Sequence, residues 1–305
     1  MIPGRPRCTR IASTLGEPMY GTASTVRTWI LLEQPGPWGY DAVLQSHLAP
    51  RTARALRNLA GKVGARPVLL RRPGRHRGRG HHCYLVCSGP GTPWMEHAVL
   101  DRPSDILTWD LAPMAHGRPP GMGVLQDAPL HLVCTNGRRD PCCAERGRPL
   151  SLALSDRFGD RVFECSHIGG DRFAGNLVCL PHGLYFGRVG PRVGVKVAAR
   201  YERGLIDLAR YRGRSCYGFA AQAAEYFLRR REDLRGVEDL RLIGFESTGD
   251  AEVTAAFDGP AGRMAVRVRV GSAEEPSPLT CHGHEELHPR TFEVVEGRVE
   301  DRIAG

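Results

Sequence analysis

The sequence predicts an α/β protein built as two halves of similar design and closed by a small β-rich extension. Three observations carry that expectation. Hydrophobic periodicity gives each half the same order, β-α-β-β-β-α. A Gly- and Pro-rich stretch, Ala112 to Asp127, reads as the linker between them. Beyond Leu240 the apolar pattern switches to a period of two, clearest in Met264-Ala-Val-Arg-Val-Arg-Val. The weak likeness of the halves points to an internal repeat. The expected units are therefore residues 1–120, 121–235 and 236–305.

In the first half, strand patterns run from Val26 to Glu33, Pro67 to Arg72, His82 to Ser88 and His97 to Leu100, with a helix from about Tyr40 to Leu59 and a short one near Ser104 to Trp109. The second half repeats the scheme. Strands are expected at Leu130 to Cys134, Arg161 to Cys165, Asn176 to Pro181 and Leu184 to Val189, and helices at Cys142 to Arg157 and Val193 to Arg203. This order is compatible with thioredoxin-like folding in each half, the first covering one face of the second. A further helix, Tyr217 to Arg231, carries an apolar stripe of Ala220, Ala224, Phe227 and Leu228 that should pack back onto the sheets.

Length and composition bound the function. A chain of 305 residues with 41% hydrophobic residues can bury sizeable cores. It has no run of eighteen apolar residues, so no membrane span is expected. The start lacks the apolar core of a secretory signal, which leaves the cytoplasm as the default. In that compartment ten cysteines read as metal ligands and reduced core thiols before they read as disulfides. The net charge of +9 is carried mainly by arginine, with one dense cluster between Arg71 and His82. That cluster holds no aromatic residue for base stacking, which argues against a nucleic-acid partner. A solvated hairpin is the first reading there, and docking of an acidic redox partner the second.

The stretch from Cys134 to Asn176 concentrates ligand chemistry. Cys134 closes an apolar run. Cys142 and Cys143 follow Asp140-Pro141, where proline opens a helix. Cys134 and Cys143 should thus face each other across one loop, spaced C-x8-C, and His167 and Asp171 follow as H-x3-D around Gly169-Gly170. Thiolates suit zinc and iron-sulfur clusters, and imidazole suits zinc or iron. Cysteines buried without a metal are the bland alternative.

These segments, CTNGRRDPCCAERGRPL and ECSHIGGDRFAGNLVCLPHGLYFGRV, resemble the sucrase/ferredoxin-like family, a branch of the thioredoxin-like 2Fe-2S ferredoxins. LGEPMYGTAS, WILLEQPGPWGYDAVLQSHL and YRGRSCYGFAAQAAEYFLR extend the resemblance over roughly residues 8 to 230. It implies an electron-transfer protein with one 2Fe-2S cluster held by Cys134, Cys143, His167 and the residue at 171, where this chain has Asp and the family has His. It also implies a redox partner protein, such as a reductase. Asp171 as ligand or supporting partner is the favoured expectation. Cys142 or Cys165 as substitute ligands, or a scaffold without a cluster, remain open. Arg138, Arg139 and Arg172 flank the ligands. No carboxylate pair is placed for glycoside cleavage, so no sucrase activity is expected.

Rival classes are weaker. His284-Glu285-Glu286-Leu287-His288 satisfies H-E-x-x-H, but Gly283 and Pro289 deny it a helix of useful length. A dithiol oxidoreductase would want C-x-x-C before a helix, and a zinc protein fits the thiols without the cluster. Cys83 and Cys87 read as core thiols, and Cys8, Cys179, Cys216 and Cys281 show no partner by spacing.

Overall fold

A computed structural model describes residues 6–74, 80–247, 249, 251–283 and 287–300 of the chain. It is a mixed α/β structure with a ten-stranded mixed sheet and a separate four-stranded antiparallel sheet. A short helix, α1 (Cys8–Thr14), precedes β1 (Thr28–Glu33), α2 (Pro50–Lys62), β2 (Ala65–Arg71), β3 (His81–Cys87) and β4 (Trp94–Leu100). After a 3₁₀ turn at Pro103–Thr108 come α3 (Ala112–Ala115) and β5 (Val124–Leu125). The second half follows as β6 (Leu130–Cys134), α4 (Pro141–Phe158), β7 (Val162–Cys165), β8 (Leu177–Leu180), β9 (Leu184–Phe186), α5 (Pro191–Tyr201) and β10 (Tyr211–Arg214). Last are α6 (Phe219–Arg231), β11 (Arg241–Ser247), β12 (Glu252–Gly259), β13 (Gly262–Ser272) and β14 (Arg290–Glu300).

The large sheet has the order β10-β9-β8-β6-β7-β2-β1-β3-β4-β5. In the first half β1 lies parallel to β2 and antiparallel to β3, which pairs with β4. The second half repeats this: β6 is parallel to β7 and antiparallel to β8, which pairs with β9. The halves meet where β2 and β7 pair antiparallel through Leu70↔Cys165 and Arg71↔Glu164. The first half therefore extends the sheet of the second edge to edge and does not lie across its face. Ten strands in one sheet bury β1, β6, β7 and β8 on both sides, which is why every residue of these strands is buried.

Several elements differ from expectation for local reasons. The helix expected from Tyr40 begins only at Pro50, because proline disfavours helix in the residue before it and takes the first helical position itself. The stretch read as a linker is tied to the sheet. Glu96 accepts the backbone N–H groups of Gly121 and Met122 at 2.8 and 3.0 Å, and β5 pairs with β4. Helix α6 packs Ala220, Ala224 and Leu228 against Ala255, Phe257, Met264 and Val268 of the small sheet. No helix among the described residues is long and apolar enough to cross a membrane. His284, Glu285 and Glu286 of the H-E-x-x-H motif lie outside the described residues, as does part of the arginine cluster.

Candidate metal centre

Three backbone segments converge at one end of the second half. Strand β6 ends at Cys134. Helix α4 starts at Pro141, with the Asp140 carboxylate accepting the Cys142 N–H at 2.8 Å as a helix cap. The loop after β7 carries His167 and then turns through Gly169 and Gly170, whose φ angles of +91° and +80° favour glycine. A Cβ at Gly170 would meet the Arg212 guanidinium at 2.2 Å, so the second glycine admits a buried arginine behind the loop. Arg212 donates to Gly169 O at 3.2 Å and to Asn176 Oδ1 at 2.8 Å, and Asn176 in turn donates to Gly170 O at 2.8 Å.

Helix α4 sits close to β6 because Gly147 faces the strand. A Cβ there would lie 2.1 Å from the Cys134 carbonyl oxygen. Beneath Cys134, Glu164 forms a buried hub. Its carboxylate receives Arg71 at 2.7 Å, Thr135 Oγ1 at 3.0 Å and Ser151 Oγ at 3.0 Å, joining β2, β6, β7 and α4.

Donor atoms of Cys134, Cys143 and His167 lie within 4.8 Å of one another. Asp171 sits beside them: its Oδ1 accepts the Cys143 thiol at 3.2 Å and lies 3.1 Å from His167 Nδ1. That last contact is close without alignment, and the buried ring nitrogen makes no hydrogen bond of good geometry. The Cys143 hydrogen bond, opposed by burial and helped by His167, lowers the Cys134 thiol to about 5, while the same pairing and burial push Cys143 up. Burial would lower the His167 imidazole, but the neighbouring Asp171 and Cys134 outweigh it and raise it to about 9. The two sulfurs are buried, and the His167 side chain keeps 20% exposure. It faces an open depression of about 500 Å³ lined also by Tyr40, Arg57, Arg66 and Arg139.

Neither alternative thiol joins this group. Cys165 stays in the core beside Cys134 in the sheet, and Cys142 points elsewhere. Arg172, expected beside the ligands, pairs with Glu17 at 2.7 Å, and Arg139 stacks over Tyr40 at 4.0 Å. Cys8 and Cys281, which spacing left without partners, come together with Cys142 and Asp140 in a second buried group. Sequence reasoning also missed Arg212 and Glu164. Both are charged residues on strands of the large sheet, where burial demands a partner.

Fold and side chains together define an α/β protein whose buried thiol, imidazole and carboxylate groups could hold a metal ion. The family model described as sucrase/ferredoxin-like matches residues 19–206, and the chain belongs to that family. No curated protein and no solved structure matches it.

Proposed function

We propose that this protein is an electron carrier binding one 2Fe-2S cluster through Cys134, Cys143, His167 and Asp171. The observation that carries the reading is the convergence of two thiols and an imidazole from a strand end, a helix start and a glycine turn. The donor set fits the group. Thiolates are its usual ligands, imidazole can replace them on one iron, and a carboxylate is a harder substitute. The unpaired His167 nitrogen and the open depression beside it leave room on the non-thiolate side. We read 1–120 and 121–235 as thioredoxin-like units, on the strength of their shared strand order, and 236–305 as the extension.

When bound, such a cluster supplies one-electron exchange. Cys134 and Cys143 would hold it from the buried side and His167 from the side nearer solvent, and the Arg212 guanidinium behind the loop offsets negative charge at Asp171 and Cys134. Arg66 and Arg139 around the depression suit an acidic redox partner such as a reductase, since complementary charge speeds encounter, while Arg57 there is paired with Asp41.

The compactness of the donors, within 4.8 Å, favours a second reading in which a single zinc ion is held directly. Anaerobic purification separates the two. Brown protein with iron and acid-labile sulfide in equal amounts, lost in Cys134→Ser, supports the carrier. Colourless protein with zinc bound at Cys134 supports the alternative. Metal-free protein that reduces insulin disulfides would overturn both in favour of dithiol chemistry.

A further inference from the structure

We propose that Cys8, Cys142, Cys281 and Asp140 form a second metal site, a closed tetrahedral zinc site that ties both ends of the chain to the head of α4. Its donors come from α1, from the start of α4 and from the segment between β13 and β14. Two of them, Cys8 and Cys281, lie outside the residues 19–206 that match the family. The site is therefore distinct from the one proposed above and does not depend on it.

The spacing of the sulfurs selects the ligand. Cys8 Sγ lies 3.7 Å from Cys142 Sγ and 3.4 Å from Cys281 Sγ, and the third side of the triangle, Cys142 to Cys281, is 3.4 Å. A tetrahedral ion with metal–sulfur bonds of about 2.3 Å sets its sulfurs about 3.8 Å apart, so one ion fits with a small outward adjustment. A disulfide needs about 2.05 Å and would leave the third sulfur out. A four-iron cluster seats each thiolate on a different iron and spreads them further than this triangle.

Asp140 supplies the fourth corner. Its Oδ2 and Oδ1 lie 3.7 and 3.9 Å from Cys8 Sγ. The carboxylate is fully buried, and among the described residues no arginine, lysine or histidine pairs with it. Instead the backbone N–H groups of Cys142 and Cys281 donate to its two oxygens at 2.8 and 2.6 Å. These bonds orient the carboxylate while leaving a lone pair on each oxygen. A buried thiol on its own packs as a small hydrophobe, which accounts for Cys83 in its apolar cluster. That account does not explain three sulfurs gathered around a buried carboxylate whose hydrogen bonds come from backbone N–H groups, with the nearby Arg7 directed to Glu145. Three thiolates and one oxygen in a closed, buried tetrahedron are the chemistry of structural zinc, which is redox-inert and would hold Cys143, the next residue on α4, without carrying electrons.

The test uses the full chain. Metal analysis is expected to find one zinc per chain in a Cys134→Ser/Cys143→Ser variant, which removes the first group, and about tenfold less when Cys8→Ser/Cys281→Ser is added to it. Zinc-edge X-ray absorption on the wild type needs no variant and should find three sulfurs at about 2.3 Å and one oxygen at about 2.0 Å. Zinc content unchanged when Cys8→Ser/Cys281→Ser is added, a zinc shell with two sulfurs or fewer, iron in place of zinc, or a disulfide among these cysteines in anaerobically prepared protein would each overturn the proposal.

Discussion

Replacing Gly147 by alanine isolates the close approach of α4 to β6. The new Cβ would lie 2.1 Å from the Cys134 carbonyl oxygen, 3.1 Å from its carbonyl carbon and 3.1 Å from Thr135 Cγ2. An ordinary carbon–oxygen contact is about 3.2 Å, so helix and strand must part by roughly 1 Å, and backbone offers no flexible end to move aside. On stability the effects partly cancel. Overpacking costs about 1–3 kcal/mol, and alanine returns about 1 kcal/mol of helix propensity. At the metal centre nothing cancels. Cys143 rides on α4 and Cys134 ends β6, and ligand distances tolerate only about 0.2 Å. Gly147→Ala should therefore melt within a few degrees of wild type yet load tenfold less metal, read by metal analysis and visible circular dichroism. Gly61→Ala is the control: it adds the same methyl to α2, where nothing lies within 4 Å, and should leave loading intact while gaining about 1 kcal/mol. Full loading and an unaltered spectrum in Gly147→Ala would refute the argument that this helix contact sets the ligand geometry.

Three further outcomes are expected. In the proposed 2Fe-2S carrier, Asp171→His removes a negative charge and should raise the reduction potential on the order of 100 mV; an unchanged potential in film voltammetry would mean that the carboxylate does not touch iron. Glu225 is buried against Arg229 at 3.0 Å, Arg214 at 3.7 Å and the Tyr211 hydroxyl at 2.9 Å, so Glu225→Ala strands buried cations and should cost about 3–5 kcal/mol in urea unfolding. A loss below about 1 kcal/mol would show that water or rearrangement satisfies them. His182 sits between the Tyr201 hydroxyl at 2.7 Å and Glu238 at 2.9 Å, and burial, with Arg214 second, lowers it to about 4 despite Glu238. Below about pH 6.5 the unfolded chain takes up a proton that the folded one refuses. Stability should thus fall as pH drops toward about 4, by on the order of 3 kcal/mol, and His182→Gln should flatten that slope.

Strands whose apolar residues face a core announced themselves in the sequence, and the order of both halves followed from them. Strand β10 did not. Tyr211-Arg212-Gly213-Arg214 reads as a polar turn, yet both arginines are buried, Arg212 by carbonyls and Arg214 by Glu225 and the Val237 carbonyl. Periodicity registers apolar burial and is blind to a charge whose partner lies far along the chain. The same limit shaped the two candidate metal sites. Cys134, Cys143 and His167 fall within one stretch of sequence, so their grouping was legible; Cys8 and Cys281 lie at opposite ends of the chain, so theirs was not. One local signal did exist. Successive residues on a helix point about 100° apart, so Cys142 and Cys143 on α4 were bound to address different surroundings.

That divergence fixes how the proposed carrier would exchange electrons. Cys143 turns toward Cys134 and Cys142 toward α1, so both sulfurs of the first group are sealed beneath the head of the helix. On the remaining side the glycine turn is closed by Arg212 and Asn176. Only the His167 ring reaches solvent, at the margin of a depression where Arg66 holds the His167 carbonyl at 2.9 Å. A redox partner of the proposed carrier would then approach over His167, where the depression is also lined by Arg66 and Arg139. In the proposed carrier the route of transfer would follow from which donor is uncovered, and that donor is His167 and not one of the cysteines.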